Sequence, residues 1–205
     1  MRRWGPPAIP FLREGSNLLL VAALLVLAGS TALGRLPFLP WLMLAGALAF
    51  FCSEYTTHRF LFHARPSTIP WLLRLQHRLH YDHHIDPARL DLLFLPPWFV
   101  VPAAGLFYLV YLVVVHDPVR ALALLAGSLA ALLYYEWTHY VAHTPYVPRT
   151  PWGRWIKKYH LWHHFKNEHL WYGVTNPAGD LLARTYRRVD EVERSTTVRD
   201  LYPGT

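Results

Sequence analysis

Cysteine is nearly missing from this chain: Cys52 is the only one in 205 residues. That excludes an intramolecular disulfide and any cysteine-held zinc site or iron–sulfur cluster. A metal bound here must be bound through nitrogen and oxygen. Charge is also scarce. Asp, Glu, Lys and Arg make up 16% of residues, where a soluble domain carries about 25%. Much of the surface is therefore not built for water, and hydrophobic residues, at 53%, take its place. Acidic residues are the rarer sign, 13 against 20 Lys and Arg, giving a net charge of +7. We read that excess as membrane topology and expect no nucleic-acid partner, because the apolar runs give the cations a place at an anionic leaflet.

Four apolar runs approach the length of about 20 residues that a bilayer requires. They cover residues 17–36, 37–57, 91–115 and 119–138. The first follows a basic N-terminus but lacks a small-residue cleavage site, so it is read as a retained span and not a signal peptide. Short links at 34–37 and 116–118 join the runs into two hairpins. Orientation follows from Lys and Arg: three lie in residues 1–16, five in 59–91 and ten after 144, against only Arg35 and Arg120 on the other side. The positive-inside rule then puts both termini and the central loop in the cytoplasm. The expected fold is all-α: an integral membrane protein with four transmembrane helices in two hairpins and a cytosolic helical cap over 58–90 and 139–186. A single membrane domain is expected over 1–186, with a charged tail from 187 to 205.

Thirteen histidines are present, and on this topology twelve lie at cytoplasmic span ends or in cytoplasmic segments. They group as His58-RFLF-His63, His80-YD-His83-His84, His139-YVA-His143 and His160-LW-His163-His164. An offset of 80 carries His63, His80, His83 and His84 onto His143, His160, His163 and His164; His58 and His139 are 81 apart. This is an internal pseudo-repeat supplying five imidazoles from each half. Helical neighbours three or four apart share a face, so His139 and His143 can aim at one point. Adjacent histidines diverge by about 100° and serve two neighbouring ions more easily than one, which suits HxxHH to a dinuclear site. The five-residue step from His58 to His63 fits no regular helical face and predicts a helix end or a π-bulge. Ten imidazoles provide five ligands for each of two metals. Imidazole suits iron, copper, nickel and zinc alike, so spacing does not choose the metal. His116 and His169 read as ordinary isolated histidines, and His77 shares a helical stripe with His80 and His84. Trp71, Trp152, Trp155, Trp162, Trp171 and Tyr172 read as an interfacial aromatic belt.

HRFLFH, HYDHH, HYVAH, and KKYHLWHHFKN followed by YGVTNPAGD resemble the fatty acid hydroxylase and sterol desaturase superfamily, and most of all its fatty acid 2-hydroxylases, over about residues 50–186. The resemblance implies a diiron membrane hydroxylase that inserts one oxygen atom from O2 into a lipid C–H bond. It also implies His58, His63, His80, His83, His84, His139, His143, His160, His163 and His164 as metal ligands, with Asp180 at the family's Asp position. Two iron ions are expected, with zinc as a possible substitute. No haem domain precedes the first apolar run, so the expected electron donor is a separate cytochrome- or ferredoxin-type protein. The other expected partners are a lipid substrate and the bilayer. Ten neutral ligands leave the metal charge uncompensated, so Glu54, Glu136, Asp82 and Asp180 are expected as carboxylates that support the imidazoles. A desaturase of the same superfamily and a non-enzymatic metal-binding or transport protein are the alternatives.

Overall fold

The structure is a computed structural model that describes residues 8–203. The basic Arg2 and Arg3 used in the orientation argument lie outside the described residues. Ten α-helices and no strand occur among those described: α1 (Ala8–Arg13), α2 (Gly15–Ala32), α3 (Pro40–Thr57), α4 (Pro70–Gln76), α5 (Asp82–Ile85), α6 (Leu90–Leu93), α7 (Pro97–Val115), α8 (Pro118–Ala142), α9 (Pro151–Phe165) and α10 (Ala178–Leu182).

Local chemistry marks where these helices start and stop. Proline stands at the first turn of α7 and of α9, where its missing N–H is not needed. The Thr150 hydroxyl caps α9 by accepting from Gly153 N at 3.0 Å, and Asp117 Oδ1 accepts from Arg120 N at 2.8 Å at the start of α8. Each satisfies one of the unpaired donors of a first turn. His116 ends α7 in the left-handed conformation, φ 52°, so its turn role explains it without a ligand.

Three stretches are long and apolar enough to cross a membrane: Gly15–Ala32, Leu90–Val115 and Pro118–Ala142. The sequence suggests four. The second expected run does form a helix, α3, but its last turns carry Ser53, Glu54, Thr56 and Thr57, which dilute its apolar character. Large side chains on α2 and α7 stand exposed, among them Leu25 and Val26 on the first and Leu106, Val113 and Val114 on the second. Water would penalise a surface of this kind, whereas lipid solvates it.

The described chain divides into two compact units. One comprises residues 7–51 and 95–136. Its core brings Leu20, Val100 and Leu129 together, with Tyr111, Ala121 and Leu124 as a second cluster. Inside it α3 and α8 cross at backbone distance. A Cβ on Gly46 would sit 1.9 Å from Leu124 O, and one on Gly127 would sit 1.8 Å from Met43 O. Ser128 Oγ ties the crossing by donating to Gly46 O at 2.8 Å. Small residues that let backbones approach are how helices pack where lipid supplies no hydrophobic drive. Gly46→Val should therefore lower stability by about 1–3 kcal/mol through overpacking. Gly29→Ala, whose Cβ meets nothing within 4 Å, should stabilise by roughly 0.5–1 kcal/mol. Melting curves in one detergent would compare them.

The other unit comprises residues 52–94 and 137 onward, and it contains all ten grouped histidines. The sequence separates a domain ending at 186 from a charged tail. Here two of the later residues are packed, Val198 at 2% and Leu201 at 8% exposure.

Candidate metal centre

Two unusual turns set the first ligands. Residues His58–Phe62 and His77–Tyr81 are π-helical. In the first, His63 N donates to His58 O at 3.1 Å, a five-residue step that brings His58 and His63 onto one face. In the repeat's second half the equivalent pair, His139 and His143, is joined by an ordinary α step within and just beyond α8, with His143 N donating to His139 O at 3.3 Å. A π-bulge absorbs one extra residue, which accounts for the offset of 81 in place of 80 at this pair. The second π turn, before α5, has no counterpart in α9 and no signal in the spacing.

The rings converge as two groups of five. His58, His63, His80, His84 and His163 form the first; His83, His139, His143, His160 and His164 form the second. Within each group one nitrogen per ring lies within 4.8 Å of all the others. The adjacent histidines split as their angular divergence predicts: His84 goes to the first group and His83 to the second, while His163 and His164 divide the opposite way. Each group therefore takes four rings from its own half of the repeat and one from the other half. The two groups touch where His84 and His164 stack, ring centroids 4.1 Å apart.

The ring chemistry calls for a cation at each group. His58 Nδ1 faces Tyr172 O at 2.5 Å, His84 Nδ1 faces Val198 O at 3.1 Å and His163 Nδ1 faces Leu170 O at 2.8 Å. A carbonyl only accepts, so each Nδ1 carries the proton and each Nε2 a bare lone pair. Nε2 atoms then face one another: His63 to His80 at 2.8 Å, His63 to His163 at 3.0 Å and His58 to His80 at 3.2 Å. In the second group His83 and His139 meet at 3.0 Å, as do His143 and His160. A metal–nitrogen bond of about 2.1 Å puts neighbouring corners of an octahedron about 3.0 Å apart. His84 Nε2 and His164 Nε2 are buried with no hydrogen-bond partner among the described residues. Converging, buried, partnerless lone pairs fit a pair of metal ions. Protons cannot take their place: burial first, and neighbouring imidazoles second, push His83 down to about 3 and His63, His80, His143, His160 and His164 well below the usual histidine range. Burial pushes His58 down to about 4, with the Tyr172 carbonyl and then the Asp180 charge opposing it.

The four carboxylates have different duties. Glu54, at the end of α3, supports the loop that follows α9. Its Oε1 accepts from Val174 N at 2.7 Å and Thr175 N at 2.9 Å, and its Oε2 accepts from the Thr175 hydroxyl. It thus acts one step away from the His58 ring, through the strand of backbone that offers Tyr172 O. Asp180 is fully buried and accepts four bonds: from Tyr172 N, Gly173 N, the Tyr159 hydroxyl and the Thr185 hydroxyl, at 2.6 to 2.9 Å. Gly173 has no room for a side chain, since a Cβ would lie 2.0 Å from Asn176 O. Glu136 is equally buried, and its Oε1 accepts from Leu95 N at 3.2 Å. Asp82 instead pairs with His77 Nδ1 at 2.8 Å on a part-exposed surface. His77 stands outside both five-ring groups, and His169 is 71% exposed beside Glu168.

The ring-orienting acceptors are backbone carbonyls of Leu170, Tyr172 and Val198, which no residue type announces in a sequence. Two aromatics assigned to an interfacial belt also belong elsewhere. Trp171 is 0% and Tyr172 6% exposed. Trp171 adopts φ 57°, a strained value for a large side chain, and its ring joins Ile156 and Tyr159 in a small core. That turn delivers the Tyr172 ring to within 5.7, 5.2 and 5.4 Å of His58, His63 and His163, measured between centroids, so it walls the first group.

The sequence model of the fatty acid hydroxylase family matches residues 43–185, a span that contains every one of these ten histidines. The chain belongs to the fatty acid hydroxylase family. It is 36% identical over 136 residues to the dihydroceramide fatty acyl 2-hydroxylase FAH2 of Arabidopsis thaliana, covering 66% of this chain and 56% of that one. It is 35% identical over 155 residues to the ceramide very long chain fatty acid hydroxylase SCS7 of Saccharomyces cerevisiae, covering 73% and 38%, and 31% identical over 150 residues to human fatty acid 2-hydroxylase, covering 71% and 39%. The matches thus span between about two-fifths and just over half the length of these relatives. A solved structure of full-length scs7p, in which only the hydroxylase domain is visible, superposes with a TM-score of 0.77 at 28% identity over 91% of this chain and 72% of that one.

Proposed function

We propose that this chain is a four-span membrane lipid hydroxylase that holds two iron ions through its ten grouped histidines and adds one oxygen atom from O2 to a fatty acyl C–H bond. The observation that carries the reading is the pair of interleaved five-ring groups with bare lone pairs facing inward. On this reading the fourth span is α3, and its close glycine crossing with α8 supports it. The histidine-bearing segments and the Lys and Arg beside them lie on the cytoplasmic face, forming the cap.

Bound iron would supply the activation of O2 and the cleavage of the C–H bond, chemistry that no side chain here can perform. The overall balance is one C–H bond converted to C–OH, with the second oxygen atom leaving as water and two electrons and two protons supplied from outside. A separate electron-transfer protein provides those electrons. The residues of the chain do the rest. The buried imidazoles stay neutral, each keeping a bare ring nitrogen. The carbonyls of Leu170, Tyr172 and Val198 fix three ring orientations, which strengthens those rings as donors. The negative charge of Asp180 opposes the net cationic charge of a centre whose direct ligands are all neutral. Tyr172 closes one wall against water. The relatives' names favour the carbon next to the acyl carbonyl, in a free or ceramide-linked acyl chain.

The test is product analysis by mass spectrometry after expression in iron-replete cells with a reductant system and isotopically labelled O2. The expected product is a 2-hydroxy acyl lipid carrying one labelled oxygen. A new double bond without label would replace the hydroxylase with a desaturase, and stoichiometric zinc without O2 consumption would overturn oxygen chemistry altogether.

A further inference from the structure

The family match ends at residue 185, yet the chain continues across the cap. Ser195 N donates to Lys166 O at 2.7 Å, and the Ser195 and Thr197 hydroxyls both donate to buried Glu168 Oε1 at 2.9 and 2.5 Å. These bonds anchor the segment beside the end of α9. Beyond the anchor it reaches ligand residues. Val198 O accepts from His84 Nδ1. Arg199 donates to His84 O at 3.1 Å and to Ile85 O at 2.6 Å, the free carbonyls at the end of α5. The Tyr202 hydroxyl donates to His63 O at 3.1 Å, and its ring packs on Tyr81 at 5.2 Å.

These contacts have one direction. His63 and His84, which these hydrogen bonds reach, both belong to the first five-ring group. In the second group, His83, His160 and His164 have buried Nδ1 atoms with no partner among the described residues. The hydrogen bonds described from the strap and from the 170–172 loop thus meet the first group.

We propose that residues 195–202 form a positioning strap for one metal of the pair, with Arg199 and Tyr202 as its positioning residues. The proposal rests on the two-metal reading above. Arg199 fixes the terminal turn that presents the His84 ring, the Val198 carbonyl sets which nitrogen of that ring is bare, and Tyr202 fixes the backbone of His63. Loss of such supporting contacts lowers metal affinity by about 10–100-fold, and here the loss falls on one ion.

The experiment titrates the iron-loaded full chain with EDTA, reading iron per chain by elemental analysis and coupling by Mössbauer spectroscopy. In Arg199→Met/Tyr202→Phe, one iron should leave at about 10–100-fold lower EDTA than in the unmodified protein, while the second persists and its signal becomes that of an uncoupled ion. Arg199→Lys should fall between the two, and Arg188→Met, at an exposed ion pair with Asp190, should match the unmodified protein. Tyr202→Phe alone removes a single hydroxyl and carries the test if the double variant does not fold. Both irons leaving together at the unmodified protein's EDTA concentration, or both shifting in parallel, would overturn the strap. An unmodified protein that retains no iron would overturn the metal reading beneath it.

Discussion

Replacing His83 by Ala is expected to abolish turnover while leaving a folded chain with about one iron in place of two. His83 is the ring that the first half of the repeat lends to the second group, where its Nε2 lies 3.0 Å from that of His139. Its removal leaves four rings on one ion and all five on the other. The reaction needs the pair, so activity should fall to background although half the metal remains. His163→Ala should mirror it. That ring is lent the other way, and its Nε2 lies 3.0 Å from that of His63. The double variant should lose both ions. His116→Ala, in the turn after α7, should change stability by no more than about 0.5 kcal/mol and leave turnover intact. Iron content and product formation, measured on the same preparations, decide the matter. Full activity in His83→Ala would remove it from the ligand set.

Asp180→Ala should have the largest effect on stability of any single change outside the ligands. Its carboxylate takes two backbone N–H groups and two hydroxyls in a fully buried site. Each donor left bare inside a protein costs roughly 1–3 kcal/mol. The hydroxyls of Tyr159 and Thr185 can turn elsewhere; Tyr172 N and Gly173 N cannot. A loss of about 3–5 kcal/mol is therefore expected, together with disorder of the loop that offers its carbonyls to His58 and His163. Thermal melting in detergent measures the first effect, and iron occupancy the second. Asp180→Asn keeps the shape and about half of the acceptor capacity, so it should fall between. A melting temperature unchanged in Asp180→Ala would mean that this carboxylate does not organise the loop.

The sequence carries much of this arrangement. Helix spacing and the offset of 80 identify all ten imidazoles that the structure gathers, and the awkward five-residue step announces the π turn at His58–Phe62. Adjacent histidines are expected to serve different ions, and they fall in different groups. The partition itself was open, because it depends on how two helices face each other, which residue spacing does not encode. The supporting atoms were illegible for another reason. Carboxylates stand out in an apolar sequence, so Glu54 and Asp180 drew attention, but the atoms that face the rings are carbonyls, which every residue has. Trp171 and Tyr172 look like interfacial aromatics by type; only the left-handed turn at Trp171 turns them inward. The segment after 187 reads as a charged tail, yet Val198 and Leu201 within it are buried, and Arg199 donates to backbone carbonyls.

The crossing of rings between halves would also make bound metals clasps in the chain. The first group joins His63 to His163, 100 residues apart, and the second joins His83 to residues of α8 and α9. Closing a loop of that length in an unfolded chain is worth about 4.7 kcal/mol when the link is a disulfide, and a chain with one cysteine has no such link available. Metal ions bound this way would restrict the unfolded ensemble as a disulfide does, through bonds that need no oxidising compartment. The first clasp would need the polypeptide made through His163 and the second through His164, so full loading would follow synthesis of both halves. The proposed metal centre would then also record that both halves of the repeat have been made.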